Sequence, residues 1–248
     1  MDTMSTHRHW GAARVYAALA FLALIGPAGI AQVLSVQPVN IFLSPGQKAT
    51  TLSVANQGSS ETSIQIRAFD WKQKDGEDQL TATNDVVVSP PLCTIPAGAA
   101  QIIRIVLRQS PQGQEGTYRI LVDQVPPPAE AGVVHVVLRL SIPIFAQPKA
   151  RALAQVKFHV ESKDNQVFLV GVNEGQSHEA IRDIVLATSD GRTMKVVSGV
   201  SPYILAGATR RWPMDAKGYL PKQGEALDLT AHAAAGDIKR QVSVVAAP

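Results

Sequence analysis

Beyond residue 32 this chain keeps a two-residue beat: apolar side chains recur at alternate positions or in short runs, and turn residues interrupt them about every ten positions. Successive side chains of a strand point to opposite faces, so the beat selects half-buried β-strands. It excludes a helical bundle, whose apolar period would be about 3.6 residues. The interruptions carry turn chemistry: Ser44-Pro45-Gly46, Asn56-Gln57-Gly58, Lys74-Asp75-Gly76, Pro96-Ala97-Gly98 and Pro111-Gln112-Gly113. Proline presets the first turn dihedral and glycine takes positive φ without steric cost. No segment repeats closely enough for a solenoid or propeller.

The pattern predicts strands over 34–43, 50–56, 63–71, 86–89, 101–107, 118–125 and 133–146, then a second set over 155–160, 166–172, 181–186, 194–197, 210–214, 227–230 and 241–245. Two such sets point to an all-β chain of two immunoglobulin-like β-sandwich domains, 32–147 and 152–248. A short linker at Pro148-Lys149-Ala150-Arg151 would join them into a bent molecule with an inter-domain cleft. Cys93 is the only cysteine, so no internal disulfide is possible and packing must hold the fold.

Residues 1–31 are of another kind. Arg8 and Arg14 precede an almost unbroken apolar run over 15–25, followed by Gly26-Pro27 and the small-x-small ending Gly29-Ile30-Ala31. That order is a secretory signal peptide, with cleavage before Gln32. The competing reading is a membrane anchor, but a spanning helix needs about 20 apolar residues and this run meets Gly26 and Pro27 first. The mature chain is then exported and not inserted in a membrane. Losing two arginines and one aspartate with the leader lowers the formal net charge from +3 to +2. The remaining Lys and Arg are scattered singly, without aromatic interleaving, which argues against a nucleic-acid partner.

The motifs of covalent chemistry are missing. Cys93 sits among Leu92, Thr94 and Ile95, with no cation to activate a thiolate. His135, His159, His178 and His232 lack metal-pair spacing, and His178-Glu179 follows Asn173-Glu174-Gly175, where a turn role is simplest. No nucleophile elbow, phosphate loop or paired-cysteine zinc spacing occurs. Trp212, beside Arg210 and Arg211, reads as a packed aromatic of the second domain before a sugar-binding ledge. We therefore expect neither catalysis nor a metal or cofactor.

The segment 133–146, VVHVVLRLSIPIFA, carries the strongest functional signal. Its even positions Val134, Val136, Leu138, Leu140, Ile142 and Ile144 form one apolar row, whereas His135, Arg139, Ser141 and Pro143 interrupt the odd face. One reading is a core strand of its own sandwich. The other follows from length: fourteen residues exceed the common strand of about 5–6, so part should project and serve a partner by strand addition. Burying four such side chains contributes roughly 6–12 kcal/mol gross.

Four stretches make a resemblance specific. VQPVNIFLSPGQKATTLSVANQG, SPPLCTIPAGAAQIIRI, TYRILVDQVPPP with VVHVVLRLSIPIF, and NEGQSHEAIRDIVL with YILAGATRRWPM together span nearly all of the mature chain. They resemble the PapD-like periplasmic chaperones of the chaperone–usher pathway. The loop over 126–132 and the ending LSIPIF look most like the archaic branch, whose chaperones serve spore-coat-U-type pilins. The resemblance implies pilin or fimbrial subunits and an outer-membrane usher as partners, and a periplasmic location. It also implies a donor strand whose guest-filling residues fall on Val134, Val136 and Leu138, extended by Leu140 and Ile142. In the family two cleft cations hold the subunit's terminal carboxylate; here their positions fall on Asn40 and Pro143, neither charged. Arg139 and Arg119 are the candidate replacements, or else solvated strand residues. The alternative function is a structural or adhesive pair of immunoglobulin-like domains without chaperone activity.

Overall fold

The computed structural model describes residues 34–126, 128, 132, 136–150 and 152–246. Ten strands build the first domain: β1 (Leu34–Gln37), β2 (Ile41–Leu43), β3 (Ala49–Asn56), β4 (Thr62–Lys74), β5 (Glu77–Ala82), β6 (Val86–Ser89), β7 (Leu92–Ile95), β8 (Ala100–Leu107), β9 (Gly116–Val125) and β10 (Arg139–Ala146). One sheet runs β1-β3-β8-β6; the facing sheet runs β2-β10-β9-β4-β5, with β7 also on β4. The alternating side chains meet between them: Leu52 and Val54 of β3 and Ile103, Ile105 and Leu107 of β8 pack on Ile64, Ile66, Ile120 and Val122.

Nine strands follow: β11 (Val156–Lys163), β12 (Gln166–Asn173), β13 (Glu179–Ala180), β14 (Arg182–Ala187), β15 (Thr193–Val196), β16 (Tyr203–Ile204), β17 (Thr209–Asp215), β18 (Ala226–Ala233) and β19 (Gly236–Ala246). Seven of them close on themselves in the order β11-β12-β17-β15-β14-β18-β19, and β13 pairs with β16. Trp212 is sealed in this second core with Val160, Leu169, Leu186 and Leu229, as its sequence context implied.

Three expectations need correction. The strand expected over 34–43 is two, because Pro38, Val39 and Asn40 turn the chain between β1 and β2 and send them to opposite sheets. The strand expected over 133–146 begins at Arg139; residues 136–138 precede it, with Leu138 C=O already accepting from Gln124 N–H of β9, and 133–135, with Val134, lie outside the described residues. Strands β5, β7, β13 and β16 were not expected: β5 is exposed along its whole length and so shows no apolar alternation.

Each domain uses one buried asparagine in the same way. Asn56 Nδ2 donates to the carbonyls of Ser60, Ile95 and Pro96, while its Oδ1 accepts from Gly58 N–H. Asn173 Nδ2 donates to Ser177, Ile204 and Leu205, and its Oδ1 accepts from Gly175 N–H. Both open an Asn-x-Gly turn and satisfy loop carbonyls that burial would otherwise leave unpaired. The second of these loop pairs seats the second domain on the first.

That contact is broad. Trp71 of β4 and Phe145 of β10 pack with Leu205, Ala208 and Tyr203. The Gln73 side chain donates to Tyr203 C=O and accepts from Leu205 N–H, and Arg210 Nη1 lies 3.2 Å from Asp78. Asp75 and Gly76 take positive φ at the β4–β5 tip, which carries Gly76 into a bridge with Arg210. Glu115, buried, accepts from His178 N–H at 2.8 Å, and His178 Nδ1 lies 2.7 Å from the same oxygen.

Candidate functional site

The register of β10 places Arg139, Leu140, Ile142 and Arg119. It pairs antiparallel with β9 along its whole length, from Arg139 opposite Asp123 to Ala146 opposite Gly116. On its other side β2 pairs only with Ile144, Phe145 and Ala146. No described strand covers the edge over Arg139–Pro143. An uncovered edge presents main-chain donors and acceptors to any strand that arrives.

The even row is divided along its length. Val136 is 85% exposed, Leu138 and Leu140 are half-buried against the first core, and Ile142 and Ile144 lie inside it at 2% and 0%. Ile142 is therefore no guest contact: it faces the opposite sheet of its own sandwich, as the strand's inward alternation requires. Along the described part of the row exposure falls from Val136 inward, and the side chains become sealed between Leu140 and Ile142.

The odd face looks toward the second domain. Residues directly opposite on neighbouring strands share a face, so Pro143, Arg119 and Phe69 form one row, and Phe145, Thr117 and Trp71 the next. Phe145 is the aromatic centre: the His178 ring stacks on it at 3.5 Å between centroids with an 8° tilt, and Phe42, Trp71 and Tyr203 lie within 6 Å. Beside Phe42, His178 and Tyr203 the two domains leave a cleft of about 400 Å³, lined also by Asn40, Leu153 and Arg182. His178, read from sequence as a turn residue, is instead a domain contact; its partner Glu115 lies 63 positions away and left no sequence signal.

The three polar candidates separate cleanly. Arg139 projects at the far end of the odd face, four residues or about 13 Å along the strand from Pro143, and is held there with Arg67 by Asp123. It does not reach the cleft. Burial alone would raise the Asp123 carboxyl, but hydrogen bonds from the two arginines outweigh it and hold the group below its usual range. Asn40 stands in the cleft and accepts from Tyr203 Oη at 2.9 Å.

Arg119 lies directly opposite Pro143, with its guanidinium carbon 3.7 Å above the Trp71 ring. Burial lowers its pKa, with nearby Asp78 and Tyr203 opposing and Arg210 reinforcing; an arginine remains a cation regardless. It makes no ion pair within the described residues, unlike Arg139 and Arg210. Around it Trp71 Nε1 and Arg210 Nε are buried with no hydrogen-bond partner among the described residues. Arg210, from the second domain, was not legible as a neighbour of Arg119 because only the domain contact brings β17 there.

Cys93 is part-buried on β7, and burial pushes its thiol up, away from the thiolate a nucleophile needs. Among the described residues no three His, Cys, Asp or Glu side chains are grouped to hold a metal ion.

Several solved structures similar to this chain share this architecture. A chain of the CsuC–CsuE chaperone–tip adhesion subunit pre-assembly complex from the archaic chaperone–usher Csu pili of Acinetobacter baumannii is 21% identical. It covers 87% of this chain and 100% of its own, with a TM-score of 0.62. The YadV chaperone is 17% identical, with 85% and 98% covered and a TM-score of 0.61. A chain of the SafA pilin–SafB chaperone complex of Salmonella enterica is 15% identical, with 87% and 97% covered and a TM-score of 0.58. At such identities the likeness is one of fold, two β-sandwich domains in series. No curated protein matches the sequence significantly. Residues 33–152, which hold β1–β10 and both faces just described, match the model of the PapD N-terminal domain, the pili and flagellar-assembly chaperones. The first domain thus carries the PapD N-terminal domain of the pili and flagellar-assembly chaperones.

Proposed function

We propose that the protein is a periplasmic chaperone that holds a pilin or fimbrial subunit by lending it the open edge of β10 and the apolar side chains leading into it, and then passes it to an outer-membrane usher. The observation that carries this reading is the conjunction at one place of an uncovered strand edge over Arg139–Pro143 and an exposed Val136 immediately before it. A free edge gives main-chain hydrogen bonds of any sequence, and Val134, Val136, Leu138 and Leu140 supply side chains for successive pockets. Each fully buried aliphatic side chain contributes about 1.5–3 kcal/mol.

Arg119 is the cation we assign to the subunit's terminal carboxylate. A guest strand on the β10 edge lies in line with β2 and must end where β2 begins, near Asn40 and Pro143. The Arg119 guanidinium stands opposite Pro143 without a carboxylate of its own. Residues 1–31, as an export signal, and a division between domains at 147–152 belong to the same reading, as does membership of the archaic branch.

Co-expression with a pilin subunit from the same gene cluster tests the proposal. Wild type should co-purify with the subunit from the periplasm, and the variants Val136→Asp and Leu138→Asp should leave it to degrade or aggregate. Undiminished capture by both folded variants would refute the mechanism.

A further inference from the structure

We infer that Pro143 is a ladder stop, which ends guest pairing on β10 at Ser141 and so fixes the register in which a subunit strand is held. The inference rests on the strand-donation reading and adds to it where the donated edge ends.

Two hydrogen bonds set the alternation of β10. Gln124 N–H donates to Leu138 C=O at 2.9 Å, so the even residues bond toward β9; Gln147 N–H donates to Leu43 C=O at 2.9 Å, so the odd residues bond toward the β2 side. On that side Arg139 and Ser141 present N–H and C=O to no described strand, while Phe145 lies opposite Phe42 of β2. Pro143 stands between the two territories and has no N–H. A strand tolerates proline where the missing donor would face outward, which is its position here.

A guest strand sliding toward β2 therefore loses its next donor at position 143 and then meets β2 itself. The side chains draw the same border: Leu140 is half-buried and available, and Ile142 is sealed in the home core. Main chain and side chains thus hand the strand from guest to host at the same place. With no positive charge at either Asn40 or Pro143, the missing donor sets the register together with Arg119, which stands opposite it.

The test is residue-resolved amide exchange on the protein, free and in complex with a co-expressed pilin subunit of its gene cluster. In wild type the Arg139 and Ser141 amides should slow about tenfold or more on binding, with Phe145 unchanged. In Pro143→Ala the new amide at position 143 should exchange about tenfold more slowly in the complex than in the free protein. Pro143→Ser serves if that variant misfolds. Identical exchange at position 143 with and without the subunit overturns the stop, and unslowed Arg139 and Ser141 amides in wild type overturn the strand-donation reading itself.

Discussion

Replacing Glu115 with leucine should uncouple the two domains. The carboxylate is buried and sits in the loop before β9, where it accepts from His178 N–H at 2.8 Å and faces His178 Nδ1 at 2.7 Å, with Ser177 Oγ at 3.4 Å. Leucine has nearly the same size but accepts no hydrogen bond, leaving His178 N–H and Nδ1 without the oxygen they share. A hydrogen bond to a charged group is worth about 1.5–3 kcal/mol, and two that share an acceptor do not add fully, so the loss is about 3 kcal/mol. For a chain of this size that is roughly 6–12 °C. Because His178 also stacks on Phe145, the loss falls on the domain contact. Calorimetry should show one transition in wild type and two in the variant, the first lowered by that amount. A single transition within about 1 °C of wild type would refute the assignment of Glu115 as a domain latch.

Three further outcomes are expected. Ile142→Ala should destabilise the free protein by about 2–4 kcal/mol, as for any sealed core aliphatic, while Val136→Ala should change it by less than about 0.5 kcal/mol; denaturant titration separates them, and equal effects would contradict the division of the row. Asn56→Ala and Asn173→Ala should each cost about 2–4 kcal/mol by leaving loop carbonyls unpaired, and only Asn173→Ala should also loosen the domain contact, read by small-angle scattering. The Asp123 carboxyl is held low in the fold by Arg139 and Arg67, so its contribution is present above the unfolded-state value near 4 and is lost as pH falls through the folded value. Asp123→Asn should flatten the acid side of the stability profile below about pH 4 and leave the neutral-to-basic side parallel to wild type.

Two-residue alternation is a local property, and it located the strands that bury one face, β3, β8 and β9 among them. It failed where a strand has no buried face, as in β5, and where a turn interrupts an apolar run, as at Pro38-Val39-Asn40. The apolar row into β10 was legible as a row, but its division was not: whether Ile142 faces a guest or the opposite sheet depends on where β9 and β2 pair, which are long-range facts. The cleft shows the same limit. Asn40 and Arg119 could be named from sequence, yet the release of Arg139 from the cleft is due to Asp123, and the arrival of Arg210, Tyr203 and His178 is due to the second domain seating on Trp71 and Phe145.

A crystal structure of the complex with a pilin subunit measures the central claim most directly. The account predicts a subunit strand along β10, with main-chain hydrogen bonds of about 2.9 Å to Arg139 and Ser141 and the Val136 side chain buried in the subunit. A subunit bound elsewhere, with that edge still facing solvent, would contradict it.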